Sequence, residues 1–267
     1  MKYFFFLGGH DGEMIEIRNL LEAKHHQYVD KHLAWGASIS DYDADIKNIP
    51  QNAVPVFIEL AIDRPLPEGA VIIDHHNEKA GRDQKTSLEQ VADLLNLPLN
   101  RRQQLISAND RGHIRAMRKI GATDEEIESI RLFDRKAQGV SDEDERLAAL
   151  SIDSRLESPF EDTAVIESKT NKTSPVFDRL YEKYAHVFVY TPDGEINYSG
   201  SGDMVNALQD FYRNEYVKKE RIPEGSAASW YGGNLPETGF WGAKTAIHKN
   251  DLIRFLEKHR RGDVKGC

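Results

Sequence analysis

The stretch Val71-Ile72-Ile73-Asp74-His75-His76-Asn77 decides how this sequence is read. Three aliphatic residues form a candidate buried strand, and the strand ends on an acid and two imidazoles. Such a cluster is costly to place in a fold unless each polar group finds a partner. Neutral imidazole is a common ligand for manganese, zinc and iron, and a strand end holds neighbouring side chains more rigidly than a loop does. Read alone, His75 and His76 also suit an exposed turn.

Three further apolar runs end in the same way. Tyr3–Leu7 leads into Gly8-Gly9-His10-Asp11-Gly12-Glu13, and Val56-Phe57-Ile58 ends on Glu59, with Asp63 four residues on. Leu105–Asn109 ends on Asp110, followed by Gly112 and His113. Acids delivered from separate strand ends to one rim would repel unless cations neutralised them. Taken singly, each carboxylate also suits a helix cap or a solvated turn, Asp63 above all.

Between these runs the spacing is helical, at Met14–Ala23 and at Thr86–Leu95, where Thr86 or Ser87 is a candidate N-cap. Strands alternating with helices predict an α/β domain on a mostly parallel sheet, whose ligands sit at the carboxyl ends of the strands. Segment 114–156 turns helical and heavily charged, and the acids that open its two helices suit the helix dipole. It reads as a solvated helical pair. Residues 158–174, rich in Ser, Thr, Lys and Asp, read as a linker. Val187–Tyr190, the turn Pro192-Asp193-Gly194 and Ile196–Tyr198 predict a hairpin. A helix at Met204–Tyr212 and a Gly-rich aromatic segment at Ser229–Gly242 complete a smaller α/β unit. The expected layout is a domain at 1–157, a linker at 158–174 and a second domain at 175–267.

Composition narrows the function classes. The chain has 267 residues, 30% charged and 39% hydrophobic, with a formal net charge of −9. That balance excludes disorder and argues against a non-specific binder of long duplex nucleic acid, which needs excess Lys and Arg. A metal could still supply the positive field for a short nucleotide. One cysteine, Cys267, offers no intramolecular disulfide and favours a reducing, cytoplasmic setting. No apolar run approaches the ~20 residues of a membrane span, so no membrane partner is expected.

The order of these motifs resembles the DHH phosphoesterase superfamily, which includes RecJ-like exonucleases, nanoRNA and cyclic-dinucleotide phosphodiesterases and type II pyrophosphatases. Asp74-His75-His76 is similar to the motif that names the family. Asp11-Gly12-Glu13-Met14-Ile15 resembles the first motif, with Glu in place of its second Asp. Glu59 falls where the second motif places an Asp that bridges metals, and Asp110-Arg111-Gly112 resembles the fourth motif. Ile196–Ser201 and Trp230–Asn234 resemble, more loosely, the DHH-associated C-terminal domain. The sequence departs from the pattern at Gly8, where the first motif usually has a His, at the longer acids Glu13 and Glu59, and at Asn234, where a His is common.

The resemblance implies a hydrolase of phosphodiester or phosphomonoester bonds in small nucleotides, working through a metal-activated water with two divalent ions, Mn2+ or else Mg2+. It implies metal ligation by His10, Asp11, Glu13, Glu59, His75 and Asp110. His76 would act on the phosphoryl or leaving oxygen, and Asp74 would orient an imidazole. Ser199, Ser201, Trp230, Tyr231, Gly232, Gly233 and Asn234 would grip the substrate, with Trp230, Tyr231 and Trp241 available to stack a base. The substrate would be a nucleotide or short single-stranded oligonucleotide, and a homodimer is compatible with this reading. Gly8 favours an alternative, a DHH scaffold that binds nucleotide without turnover. A small phosphoanhydride hydrolase of the pyrophosphatase kind is a further alternative.

Overall fold

The computed structural model describes residues 1–34, 36–76, 84–156, 158, 160–222 and 228–260. Asn77 lies outside the described residues, as does the side chain of Asn234. The chain divides into two units, Met1–Gly139 and Val140–Cys267.

The first unit runs β1 (Lys2–Leu7), α1 (Gly12–Ala23), β2 (Gln27–Asp30), α2 (Asp43–Ile46), β3 (Ala53–Ile58), β4 (Val71–Ile73), α3 (Ser87–Leu94), α4 (Arg101–Lys119) and α5 (Asp124–Ala137). Its sheet has the order β2-β1-β3-β4, with every pair parallel. Phe5, Phe6 and Leu7 of β1 and Val56, Phe57 and Ile58 of β3 are fully buried. That is why these strands read as unbroken apolar runs rather than alternations. Register aligns Asp30, Leu7, Ile58 and Ile73 in one row across the sheet. The residues that follow each of them therefore share one edge. The chain leaves β1 to one side for β2 and returns on the other side for β3. The resulting switch point between β1 and β3 is where sheets of this class open a crevice.

Two expectations are corrected in this unit. Leu105–Asn109 is not a strand but the middle of α4. Asn100 caps that helix, its side chain accepting from the Gln103 amide and the Gln103 side chain accepting in return from the Asn100 amide. The cap extends the helical spacing beyond what a five-residue apolar run reveals. Segment 114–156 is likewise not a solvated pair. Helix α5 packs against α1 and α4 and buries Ile127, Ile130, Arg131, Asp134 and Arg135.

The second unit runs α6 (Asp142–Asp153), β5 (Thr163–Glu167), α7 (Ser174–Leu180), β6 (His186–Tyr190), β7 (Ile196–Gly200), α8 (Gly202–Tyr212), β8 (Ser229–Asn234), β9 (Thr238–Ala243) and α9 (Lys249–Arg260). Its sheet order is β5-β6-β7-β9-β8, with β5 parallel to β6 and the rest antiparallel. Alternation along β6 splits the interior. Phe188 joins a cluster with Tyr198, Leu208, Tyr212 and Trp241, while Val187 and Val189 join one with Ala148, Ile166 and Val176. The expected linker at 158–174 thus carries strand β5, and α6, expected with the first domain, packs on β5 and α7. The apolar stretch of β5 is only Ala164-Val165-Ile166, and its polar flanks hide it in the sequence.

Candidate metal centre

The first unit's shared edge gathers the ionisable residues. Helix α1 begins with Asp11 as its N-cap, Oδ1 accepting from the Met14 amide at 2.9 Å. This cap places Glu13 in the first helical turn, aimed inward, and Glu13 keeps only 3% of its exposure. Glu13 Oε1 accepts the Leu88 amide at 3.0 Å, at the start of α3, where the helix dipole favours an anion. Glu59 follows β3 with a left-handed φ of 52°, while its own amide still donates to Ile73 O at 2.9 Å. His75 and His76 follow β4. Asp110 ends the first stretch of α4, which breaks at Gly112 and His113.

These side chains converge on His75. Its Nε2 lies 2.8 Å from Asp110 Oδ2, 3.5 Å from Glu13 Oε2 and 3.5 Å from Glu59 Oε1. Among the described residues, two groups of three have all their donor atoms within 4.8 Å of one another: Glu13, His75 and Asp110, and Glu59, His75 and His76. His75 Nε2, Glu13 Oε2, Glu59 Oε2 and Asp110 Oδ2 are all buried without a partner in hydrogen-bond alignment. The contacts are close, yet none is aimed as a hydrogen bond should be. Such groups could hold a cation, and oxygen with imidazole nitrogen suits a divalent metal such as manganese, iron or zinc.

Protons respond to the same crowding. Burial, with the nearby charges of Glu59, Asp110 and Glu13, pushes the Asp11 carboxyl up to about 8 despite the Met14 amide. Burial and Glu13 push Asp110 up to about 6, against the pull of His75. Burial alone would lower His75, but the carboxylates of Asp110, Glu13 and Glu59 reverse it and hold the imidazole up to about 12. Without a cation, protons must serve as the counter-charge.

His76 is held differently. Its amide donates to Asp74 Oδ1 at 2.9 Å, and its Nδ1 lies 3.3 Å from the same oxygen and 3.9 Å from Glu59 Oε1. Asp74 thus orients His76 rather than His75. His10 stands apart, exposed, its ring edge-on to His32 at 5.6 Å between centroids. Asp63 is an exposed turn residue that accepts from the Ser40 amide at 3.1 Å. The departure at Gly8 has a steric reason. A Cβ there would lie 2.8 Å from both Ile58 O and Leu60 Cδ2, because β1 and β3 close tightly where Gly8 N–H donates to Ile58 O. No His side chain fits at that position.

In the second unit, Ser199 lies on β7 opposite Phe240, and Ser201 is the N-cap of α8. Trp230, Tyr231, Gly232, Gly233 and Asn234 belong to edge strand β8 and not to a loop. Gly232 pairs with Phe240, and Trp230 with Gly242, so both rings stand on the sheet face that carries Ser199. Phe240 is half exposed, as is Tyr231 on the other face. Trp241 is not available for stacking. It is buried edge-on to Tyr212 at 5.4 Å, and its Nε1 donates to Gln209 Oε1 at 2.8 Å. The reading of the sequence missed Phe240, which the alternation of β9 with Trp241 on the core face could have revealed. It also missed the buried charges of α5, for which no signal existed.

No family model matches the sequence, and no curated protein matches it. Among solved structures, the chain is similar to an exopolyphosphatase-related protein from Bacteroides fragilis, at 10% identity over 98% of this chain and 92% of that one, with a TM-score of 0.41. It is also similar to RecJ from Thermus thermophilus, solved in complex with Mn2+, at 10% identity and a TM-score of 0.41. That match covers 100% of this chain but 52% of RecJ, about half its length. An uncharacterized protein from Helicobacter pylori matches at 9% identity over 97% of this chain and 99% of that one, with a TM-score of 0.26. Likenesses this loose add nothing to the chemistry of the site, which rests on its residues.

Proposed function

We propose that the chain is a metal-dependent phosphoesterase of the DHH type acting on small nucleotides, short oligonucleotides or dinucleotides, with water as the nucleophile. The observation that carries this reading is the convergence of Glu13, Glu59 and Asp110 on His75, with four buried atoms that lack an aligned hydrogen bond. Leaving ionisable groups so placed is strongly unfavourable, and a cation offsets it. The motif order along the sequence supports the same assignment.

Glu13, His75 and Asp110 would hold one cation, and Glu59 with His76 would hold or flank a second, with Mn2+ the first choice and Mg2+ the next. A divalent ion supplies Lewis-acid polarisation of a phosphoryl oxygen and acidifies a water. Where it flanks the second cation and does not ligate it, His76, held by Asp74, would give a proton to the leaving oxygen. Asp11 keeps the start of α1 in place by accepting the Met14 amide. The rings of Trp230 and Phe240 would stack the base, worth about 1–3 kcal/mol per base.

The test is hydrolysis of a panel of di- to pentanucleotides, cyclic dinucleotides, 3′,5′-bisphosphate nucleotide and pyrophosphate, with and without Mn2+, beside His75→Ala. Mn2+-dependent turnover lost in the variant is the expected result. A second reading, nucleotide binding without turnover, is favoured by the closed position at Gly8 and the outlying His10. Mn2+ and nucleotide binding with no turnover of any panel member would replace the first reading with this one.

A further inference from the structure

Beyond the candidate ligands, the first unit buries a charged network on α5. Asp134 Oδ1 accepts the Gly12 amide at 3.1 Å, while Oδ2 accepts from Arg131 Nη1 at 2.7 Å and Gln138 Nε2 at 3.1 Å. Arg131 Nη1 also donates to Asn109 Oδ1 at 2.9 Å. Asp134 and Arg131 retain only 7% and 6% of their exposure. Both Asp134 oxygens are engaged by donors, so this carboxylate is not itself a spare ligand.

The backbone positions it reaches are specific. Gly12 sits between Asp11 and Glu13, and Asn109 immediately precedes Asp110. A Cβ on Gly12 would lie 3.2 Å from Asp134 Cα, so the first turn of α1 rests directly on α5. Stability alone is a weak reason for such a pair, since replacing a buried ion pair by apolar residues is often neutral or stabilising. Its placement offers a better reason.

We infer that Asp134 is a positioning residue for the metal centre, tying the start of α1, which carries Glu13, to α4, which carries Asp110, through Arg131. The inference rests on the metal-dependent reading above and extends it to a residue that touches no reacting atom. Outer partners of this kind orient ligands and typically change metal affinity when lost.

The experiment is calorimetric titration of Mn2+ into the full chain as wild type, Asp134→Asn and Gln103→Leu, with urea midpoints measured in parallel. Asp134→Asn keeps the shape and an acceptor for Gly12, but removes the Asp134 charge beside Arg131. Gln103→Leu is the control. It removes a buried hydrogen bond of 3.0 Å to Glu16 that joins the same two helices, together with the Gln103 half of the cap on α4, without adjoining a ligand. Asp134→Asn is expected to lower Mn2+ affinity by roughly 10–100-fold, while Gln103→Leu binds as wild type at a comparable loss of stability. Should Asp134→Asn not fold, the double variant with Arg131→Gln removes both charges and is expected to show about a tenfold loss. Unchanged affinity in the Asp134 variant that folds, or equal losses in it and Gln103→Leu, overturns the positioning role alone. A wild type that binds no Mn2+ overturns the phosphoesterase reading, and this inference with it.

Discussion

The two sheets treat their polar side chains in opposite ways. At the carboxyl edge of the parallel sheet, Glu13, Glu59, His75 and Asp110 leave buried atoms unpartnered. Beside the candidate residues of the mixed sheet, Ser229, Trp241, Ser201 and His186 find hydrogen-bond partners within the protein. Gln209 Oε1 accepts from both Ser229 Oγ at 3.1 Å and Trp241 Nε1 at 2.8 Å, Ser201 caps α8, and His186 Nδ1 meets the Tyr198 hydroxyl at 2.8 Å. What the second sheet leaves to solvent is aromatic, at Phe240 and Tyr231. The difference teaches where to look for each role. Unpartnered buried donors and acceptors mark a ligand that bears charge, and exposed rings mark one with a flat apolar face.

The largest effect that could break this contrast comes from His75, which every ligand group includes. His75→Ala should lower Mn2+ affinity by more than about 100-fold, beyond the loss typical of an outer partner, and abolish metal-dependent turnover. Full activity in that variant would leave the parallel edge with no special status.

Gly8→His tests the sheet's closure next. It introduces the side chain found in the motif that the sequence resembles, but overpacking against Ile58 and Leu60 should cost about 1–3 kcal/mol and add no metal affinity. Tighter Mn2+ binding in a folded Gly8→His protein would show that the edge can open.

A smaller effect sharpens the electrostatic side. In chelator-treated protein, folded Asp11 keeps its proton from the ordinary 3.8 up to about 8, and folded His75 keeps its own from 6.5 up to about 12. In both windows the folded state binds more protons than the unfolded one, so stability must fall as pH rises. Between pH 5 and pH 7 the loss should be about 2.7 kcal/mol from Asp11 alone, two pH units at about 1.4 kcal/mol each. Saturating Mn2+ should flatten the slope, measured as urea midpoints. A slope of the opposite sign would mean that the carboxylates are already neutralised by something other than protons.

The smallest effect belongs to the mixed sheet. Trp230→Ala should weaken nucleotide binding by about 1 kcal/mol, the low end for one stacked base, with Mn2+ affinity unchanged. A change in Mn2+ affinity instead would dissolve the distinction between the two regions.

Much of this was legible along the chain. Three runs, at Tyr3–Leu7, Val56–Ile58 and Val71–Ile73, are strands that end on Gly8, Glu59 and Asp74, because a strand covered on both faces must be apolar until it reaches its edge. Leu105–Asn109 deceived because five apolar-rich residues fit either period, and only the cap at Asn100 resolves them. Trp241 deceived because an aromatic beside glycines looks exposed until the parity of β9 is known. Asp134 carried no signal, since a charge on a charged helix looks solvated until its neighbours are placed.

By itself, the sequence determined the kind of sheet, the edge where polar residues emerge and the ligand types found there, because periodicity and strand termini are local properties. The tertiary structure decided which atoms meet. It drew Asp110 from a helix and not a strand, left His10 exposed beside His32, closed the space at Gly8, and set Asp134 against Gly12. These outcomes depend on strand register and helix packing across more than a hundred residues, between Gly12 and Asp134 for one. No local pattern encodes a distance of that kind.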